Sequence, residues 1–432
     1  MDWLPTLAAF FGALIALMLI GLPVFVAFLL VNLVGLMLVV GPRGFGLFAN
    51  SLVDTTTTNA FATVSLFVLM GEILFRSGSV DVLFDAVDRL IGAVRGRLYA
   101  VVIVLSTVFG ALSGSAVAVA AMLGRSVMPD MTARGYDARL STGVILAGAS
   151  LAPIIPPSLL AIIVGSLADV SIAGLLVAGI VPGLLVAAIT GGWVAWRVTR
   201  DPTAAPPNAD VAPEGSVAGA LGRAAPFGVV IFAVMGLIVL GVATPGESAA
   251  TGVIGAILVA AIYRRLSLAM LREALVSATA TAAMILVIVA SSKLFSQLLA
   301  FTGASRALVQ SATGLDLDPM LMLVLMMLVP FVLCMFIDQV AFLLMAVPLY
   351  GPLVSSLGFD PVWFWTLFLI NLTLGSLTPP FGYTLFAFSA ASGRGTGEVF
   401  RASLPVIAIF VLSMIVLALV PGLVTWLPGV MR

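Results

Sequence analysis

The sequence predicts an all-α polytopic membrane protein built as an inverted repeat, with two re-entrant helical hairpins and two discontinuous helices. Three observations carry that expectation. The 432 residues are 62% hydrophobic and 9% charged, with a mean hydropathy of +1.25, a composition far from that of soluble domains. Apolar runs long enough to cross a hydrocarbon core of roughly 30 Å recur from residue 4 to residue 428, which leaves no room for a separate soluble domain. Proline pairs, in "IIPPS" and "LTPPF", interrupt two of these runs at corresponding places in the two halves.

The first run, residues 4–40, is too long for a signal peptide, lacks a basic leader and shows no convincing cleavage site, so it reads as spans 4–21 and 24–40 meeting near Pro23. Further spans are predicted at 60–76, 138–165, 172–196, 225–243, 248–263, 274–302, 362–392 and 403–428. The stretch "DVLFDAVDRLIGAVRGR", residues 81–97, sets apolar residues at helical spacing opposite charges and reads as an interfacial brace. Residues 98–127 and 319–357 each hold two apolar arms around a small or polar centre, every arm too short to span comfortably. Both are therefore expected to enter and leave on one side. With that topology fifteen arginines fall inside and only Arg43, Arg306 and Arg432 outside, as the positive-inside tendency requires, and both termini are periplasmic.

Each hairpin is followed by a proline-interrupted span, with an offset of about 220 residues between halves, the pattern that marks the midplane site of secondary transporters. Pro129 in "SVMPDM" and Pro348 in "MAVPLY" close the hairpins. The chain divides into a first half, 1–200, a cytoplasmic linker, 201–223, rich in proline, alanine and charge, and a second half, 224–432.

Composition excludes other classes. A single cysteine, Cys334, rules out an intrachain disulfide, and the absence of histidine removes imidazole chemistry near neutral pH. A formal net charge of zero without a basic run argues against a nucleic-acid partner. The lipid bilayer is the partner that composition itself demands.

Proline lacks an N–H and displaces the carbonyl four residues earlier from the helical ladder. Pro153, Pro156 and Pro157 thus release the carbonyls of Ala149, Ala152 and Pro153, while Pro379 and Pro380 release those of Gly375 and Ser376. Such backbone survives at membrane depth only when buried in protein or lining a wet cavity. Sodium, a hard cation, suits these oxygens, and the N-termini of the second half-helices suit an anion. At the hairpin centres, "SGS" offers the hydroxyls of Ser113 and Ser115 around a bendable Gly114, and "CMFIDQ" offers Asp338, a ligand, a partner or a cap. Glu72 and Arg76 have the spacing of a helical ion pair, and Lys293 either meets a carboxylate or snorkels.

Residues 109–183, from "FGALSGSAVAVAAMLGRSVMPDM" through "LAGASLAPIIPPSLLAII", resemble the signature region of the large membrane subunit of tripartite ATP-independent periplasmic (TRAP) transporters. The likeness extends over nearly the whole chain through "LFVLMGEILFRSG", "FIDQVAFLLMAVPLYGPLV" and "LGSLTPPFGYTLF". This resemblance implies a sodium-coupled symporter in the bacterial inner membrane that imports a carboxylate without ATP hydrolysis or an organic cofactor. It implies an elevator-type transport domain moving against a scaffold. The implied partners are a small four-helix TRAP membrane subunit, not fused to the N-terminus here, and a periplasmic substrate-binding protein. Carried onto matching positions, the first sodium site uses Ser113, Ser115, Gly148, Leu151 and Pro153, and the second uses Cys334, Gly375, Thr378 and Phe381, mostly through backbone oxygens. Gly114, Pro156, Pro157, Ser158, Asp338, Asn371, Pro379 and Pro380 complete the set as substrate-facing or break-forming positions. A stand-alone sodium-coupled carboxylate carrier is the nearest alternative. An intramembrane hydrolase using Asp338 would need a second catalytic group at the same depth, and a passive channel suits paired breaks less well than alternating access does.

Overall fold

The computed structural model describes residues 3–92, 94–206 and 216–431. Residues 207–215 of the expected linker, Arg432 and the side chain of Ser113 lie outside the described set. Among the described residues all regular structure is helical.

The chain opens with α1 (Trp3–Leu19), α2 (Val24–Val39), α3 (Gly44–Thr57), α4 (Asn59–Arg76) and the amphipathic α5 (Ser79–Ile91). The first hairpin follows as α6 (Arg97–Ser113) and α7 (Ala116–Ser126), closed by the short α8 (Met128–Ala133), which carries Pro129 in its first turn. The first broken helix is α9 (Ala138–Ala149) and α10 (Leu159–Leu167), and α11 (Ile172–Ala178) and α12 (Ile180–Arg200) end this half. The second half runs through α13 (Val217–Ile231), a π-helical turn, α14 (Leu237–Val239), α15 (Pro245–Ile262), α16 (Leu268–Phe301) and α17 (Ala304–Thr313). It continues with the second hairpin, α18 (Pro319–Leu333) and α19 (Gln339–Ser356), the second broken helix, α20 (Pro361–Ser376) and α21 (Tyr383–Ser392), then α22 (Thr396–Leu419) and α23 (Gly422–Val430).

The hairpins and breaks stand where the proline and glycine pattern put them, and several details differ. Helix α13 starts at Val217, inside the expected linker, because the Ser216 hydroxyl accepts from the amides of Ala218 and Gly219 and caps it. Among the described residues six helical segments are long and apolar enough to cross a membrane, fewer than the ten spans expected, because α1 and α2 are short and the broken helices cross in pieces. Helix α19, with 18 residues, is among the six, although its arm was expected to be too short. Pro348 does not close the hairpin: it lies inside α19, which runs on to Ser356.

The survival of α19 past Pro348 has a simple cause. The carbonyl that Pro348 releases is that of Leu344, and the Ser292 hydroxyl of α16 donates to it at 2.5 Å. The same device recurs. Pro330 inside α18 releases Met326 O, which accepts from the Tyr350 hydroxyl at 3.0 Å. Pro405 inside α22 releases Arg401 O, which accepts from the Arg139 guanidinium at 3.1 Å. Each of these three prolines thus converts a helical hydrogen bond into a tertiary one, and the released backbone oxygen stays paired.

Small residues fix the packing around the breaks. A Cβ on Gly148 would lie 2.3 Å from Ser106 Oγ, and one on Gly110 would lie 2.8 Å from Ala152 Cα, so α6 and α9 run side by side in parallel. In the second half a Cβ on Gly375 would meet Phe331 O at 3.0 Å and Cys334 Cβ at 2.6 Å, and Asn371 Nδ2 donates to Met327 O at 2.6 Å. The α18–α20 pair repeats the α6–α9 register. The halves interlock: α7 packs against α21, with Gly124 under the Phe388 ring, and α19 packs against α10. At the first hairpin's base, Arg97 and Asp88 form an ion pair of 2.8 Å that joins α6 to α5.

Removing the Ser292 hydroxyl should therefore leave Leu344 O without its donor. Ser292→Ala is expected to lower stability by about 1–3 kcal/mol, read as a thermal unfolding shift in detergent. Adding Pro348→Ala should restore most of that loss, because the new amide at 348 can donate to the same carbonyl; a double variant no better than Ser292→Ala would refute the account.

Candidate functional site

A cavity of about 660 Å³ gathers elements from both halves. Ser115 and Ala118 of α7, Leu159 of α10, and Asp338, Val340 and Ala341 of α19 line one side. The facing wall is α2 at Pro23–Phe25, α4 at Val68, Gly71, Glu72 and Phe75, and α16 at Thr281, Met284, Ile285 and Ile288. The N-terminal ends of α7, α10 and α19 thus meet the cavity, and each brings amides and the positive end of its dipole toward it.

Three residues predicted from sequence cap these helices. The Ser115 hydroxyl accepts from Ala118 N at 3.3 Å, and Asp338 Oδ1 accepts from Val340 N at 2.9 Å and Ala341 N at 3.2 Å. Ser158 Oγ accepts from Ala161 N at 3.3 Å and donates to Pro153 O at 2.6 Å, joining the two sides of the first break. Of the open readings for Asp338, the cap is the one seen, and its carboxylate also borders the cavity. Ser113 ends α6 immediately before Gly114, whose φ of +63° turns the chain.

At the first break, the space beside Gly114 is taken by the Leu159 amide nitrogen, 3.2 Å from where a Cβ would stand. The peptide bonds Pro156–Pro157 and Pro379–Pro380 are both cis. Three of the five released carbonyls find donors within the breaks, contrary to the expectation that all are set free. Ala149 O accepts from Ala152 N, Pro153 O from Ser158 Oγ, and Gly375 O from Thr378 N, because the chain turns tightly enough for near neighbours to reach them. Leu151 O accepts from both Ile154 N and Ile155 N. Among the described residues no donor reaches Ala152 O or Ser376 O.

The second break is held to its hairpin tip by backbone and side chain together. Gly382 N donates to Met335 O at 3.2 Å, and Gly382 has a φ of +45° with Ser376 O and Leu385 crowding the place of a Cβ. Gln339 Nε2 donates to Leu372 O at 3.2 Å and Ser376 Oγ at 2.8 Å, and Thr384 Oγ1 donates to Ser376 Oγ at 3.3 Å. Phe336 and Phe381 meet at a tilt of 53° over the same junction, ring centroids 5.4 Å apart. Gln339, Ser376 and Thr384 were missed from sequence; the one signal was polar residues inside a strongly apolar run.

The structure brings Cys334 against Gly375 and sets Thr378 and Phe381 in the turn beyond. Among the described residues, Ser115 and Asp338 are the predicted site residues that line the cavity. Asn371 instead borders an apolar groove of about 290 Å³ between α18, α20 and α22, where its amide is committed to Met327 O. Glu72 takes Arg76 at 2.7 Å, and Lys293 pairs with Asp54 of α3 at 3.1 Å, which answers how that lysine is accommodated. Among the described residues no three Cys, Asp or Glu side chains stand together as a metal cluster, so a cation here would rely on backbone and hydroxyl oxygens.

Because Gly375 lets the Cys334 tip sit directly on α20, Gly375→Ala should lift the tip and expose a thiol that is fully buried. Maleimide labelling of Cys334 is expected to accelerate by about tenfold or more, the factor that a shift of 1.4 kcal/mol in an opening equilibrium gives; an unchanged rate would show that the contact does not hold the tip.

Residues 11–423 match the family described as the tripartite ATP-independent periplasmic transporter, DctM component. The chain is 28% identical to the ectoine/5-hydroxyectoine TRAP transporter large permease protein UehC of Ruegeria pomeroyi, over 93% of each chain. It is also 28% identical to the C4-dicarboxylate TRAP transporter large permease protein DctM of Pseudomonas aeruginosa, over 88% of this chain and 89% of that one. Among solved structures, the Alcanivorax borkumensis YdaH transporter shares the fold with a TM-score of 0.64 at 16% identity, covering 88% of this chain and 89% of that one.

Proposed function

We propose a function from one premise: the chain belongs to the DctM family of large TRAP transporter components, and is an integral protein of the bacterial inner membrane. In this reading it imports a small carboxylate-bearing solute together with sodium. A small membrane subunit completes the membrane part, and a periplasmic binding protein delivers the solute. Transport, not catalysis, is the activity.

The observation that carries this reading is the convergence of both hairpin tips and the first break on one cavity. A solute carboxylate is attracted by the amide ends of α7, α10 and α19, which carry partial positive charge. The carbonyls released by Pro348, Pro330 and Pro405 are paired by side chains from other helices, whereas Ala152 O and Ser376 O, one in each break, find no donor among the described residues. Sodium is the natural partner for such oxygens, joined by hydroxyls at the tips. Ion and solute then neutralise one another in a site too apolar to hold either charge alone.

Alternating access follows as an elevator. The hairpins and broken helices interlock as one body, and α2, α4 and α16 form the wall against which it slides. The Ser292–Leu344 bond crosses that boundary and would exchange partners during movement. A second reading of the solute has its own support. Asp338 and the Arg76-paired Glu72 line the cavity, and no lysine or arginine stands among its described lining residues, which favours a solute that carries a positive group next to its carboxylate.

The test is uptake into proteoliposomes under an inward sodium gradient, using labelled dicarboxylates and zwitterionic solutes, with this chain alone and with both partners. Uptake is expected only in the complete set and only with sodium; uptake by the chain alone would move the reading to a stand-alone carrier. The Pro156→Ala, Pro380→Ala double variant should insert normally and lose about tenfold or more of its uptake, since new amides at 156 and 380 compete for Ala152 O and Ser376 O.

A further inference from the structure

On the arginine-rich side of the molecule, bordered by the residues that follow the central cavity's lining on α4 and precede it on α16, a second cavity of about 480 Å³ lies between the end of α4 and the first turns of α16. Ala269, Arg272, Glu273, Val276, Ser277 and Ala280 line it along one face of α16, and Arg76 closes it from α4. The two guanidiniums are not equivalent. Arg76 is neutralised by Glu72 at 2.7 Å and Glu273 at 3.3 Å. Arg272 is exposed and makes no ion pair or side-chain hydrogen bond among the described residues, and Arg264 and Arg265 stand exposed in the turn before α16. Both carboxylates here, Glu72 and Glu273, are engaged by Arg76, which leaves the Arg272 guanidinium as the donor group at the cavity without an ion pair among the described residues.

We propose that this cavity is a binding site for an anionic phospholipid of the inner leaflet, with the phosphodiester on Arg272 and an acyl chain along Val276, Ser277 and Ala280. A guanidinium presents paired donors that match phosphate oxygens, and basic pockets between helices on the cytoplasmic side recognise anionic headgroups. The cavity continues past the charges along small side chains on α16, which leaves width for a chain. Leu268, 85% exposed, and Val276, 64% exposed, flank it with apolar surface that suits lipid and not a soluble anion. Glu273 discriminates further, because held by Arg76 it still disfavours a polyanion.

Native mass spectrometry of the full chain extracted in mild detergent tests this, with phosphatidylglycerol and phosphatidylethanolamine supplied in equal amount. About one phosphatidylglycerol is expected to persist on each chain. Arg272→Gln should cut its retention about fivefold, the share of one basic residue at an anionic surface. Ser277→Leu, which keeps every charge and fills the groove, should cut it as well. Glycerol phosphate alone should not raise the unfolding temperature. Equal retention of the two lipids, unchanged retention in either variant, or stabilisation by glycerol phosphate would each overturn the proposal.

Discussion

Inside a bilayer every backbone oxygen needs a partner, and this fold is organised around the oxygens its prolines release. A carbonyl left unpaired in hydrocarbon costs several kcal/mol, so a helix interrupted by proline is stable only where a neighbour supplies a donor. Ser292, Tyr350 and Arg139 do so for Pro348, Pro330 and Pro405. These bonds tie α16 to α19, α19 to α18 and α9 to α22, which are the contacts that hold the second hairpin and the two halves in register. The positions of the prolines thus select the tertiary neighbours.

At the two breaks the same rule leads elsewhere. Ser158, Gln339, Thr384 and the amide of Gly382 bind the edges of each break to one another or to a hairpin tip, so the irregular backbone is fixed although it is not helical. Glycines at 110, 114, 148 and 375 allow the approach that these bonds require. The result is a tied frame in which Ala152 O and Ser376 O, one in each break, find no donor among the described residues.

The central cavity illustrates how weak a charge code can be. Its walls carry two carboxylates and no basic side chain, and its positive character comes from the ends of three helices. Helix ends have no letter in a sequence. Arg76 and Arg272 border a different cavity instead.

Much of this was legible before any coordinates. Composition fixed the membrane setting, the Pro–Pro pairs and the small tips located breaks and hairpins, and Ser115, Ser158 and Asp338 stood out as short polar residues opening apolar runs, because caps and breaks are local events. The Glu72–Arg76 pair was legible for the same reason, being one turn apart on a single helix. What the sequence could not yield were the partners across helices: that Lys293 meets Asp54, that Asn371 turns to Met327 and away from the cavity, that Ser292 rescues Leu344, and that α19 passes through Pro348. Those pairings join residues up to 239 positions apart, and only packing decides which of many polar groups arrives beside a released oxygen. Local geometry is written in neighbouring letters; the choice of a distant donor, and with it the shape of the site, belongs to the folded chain.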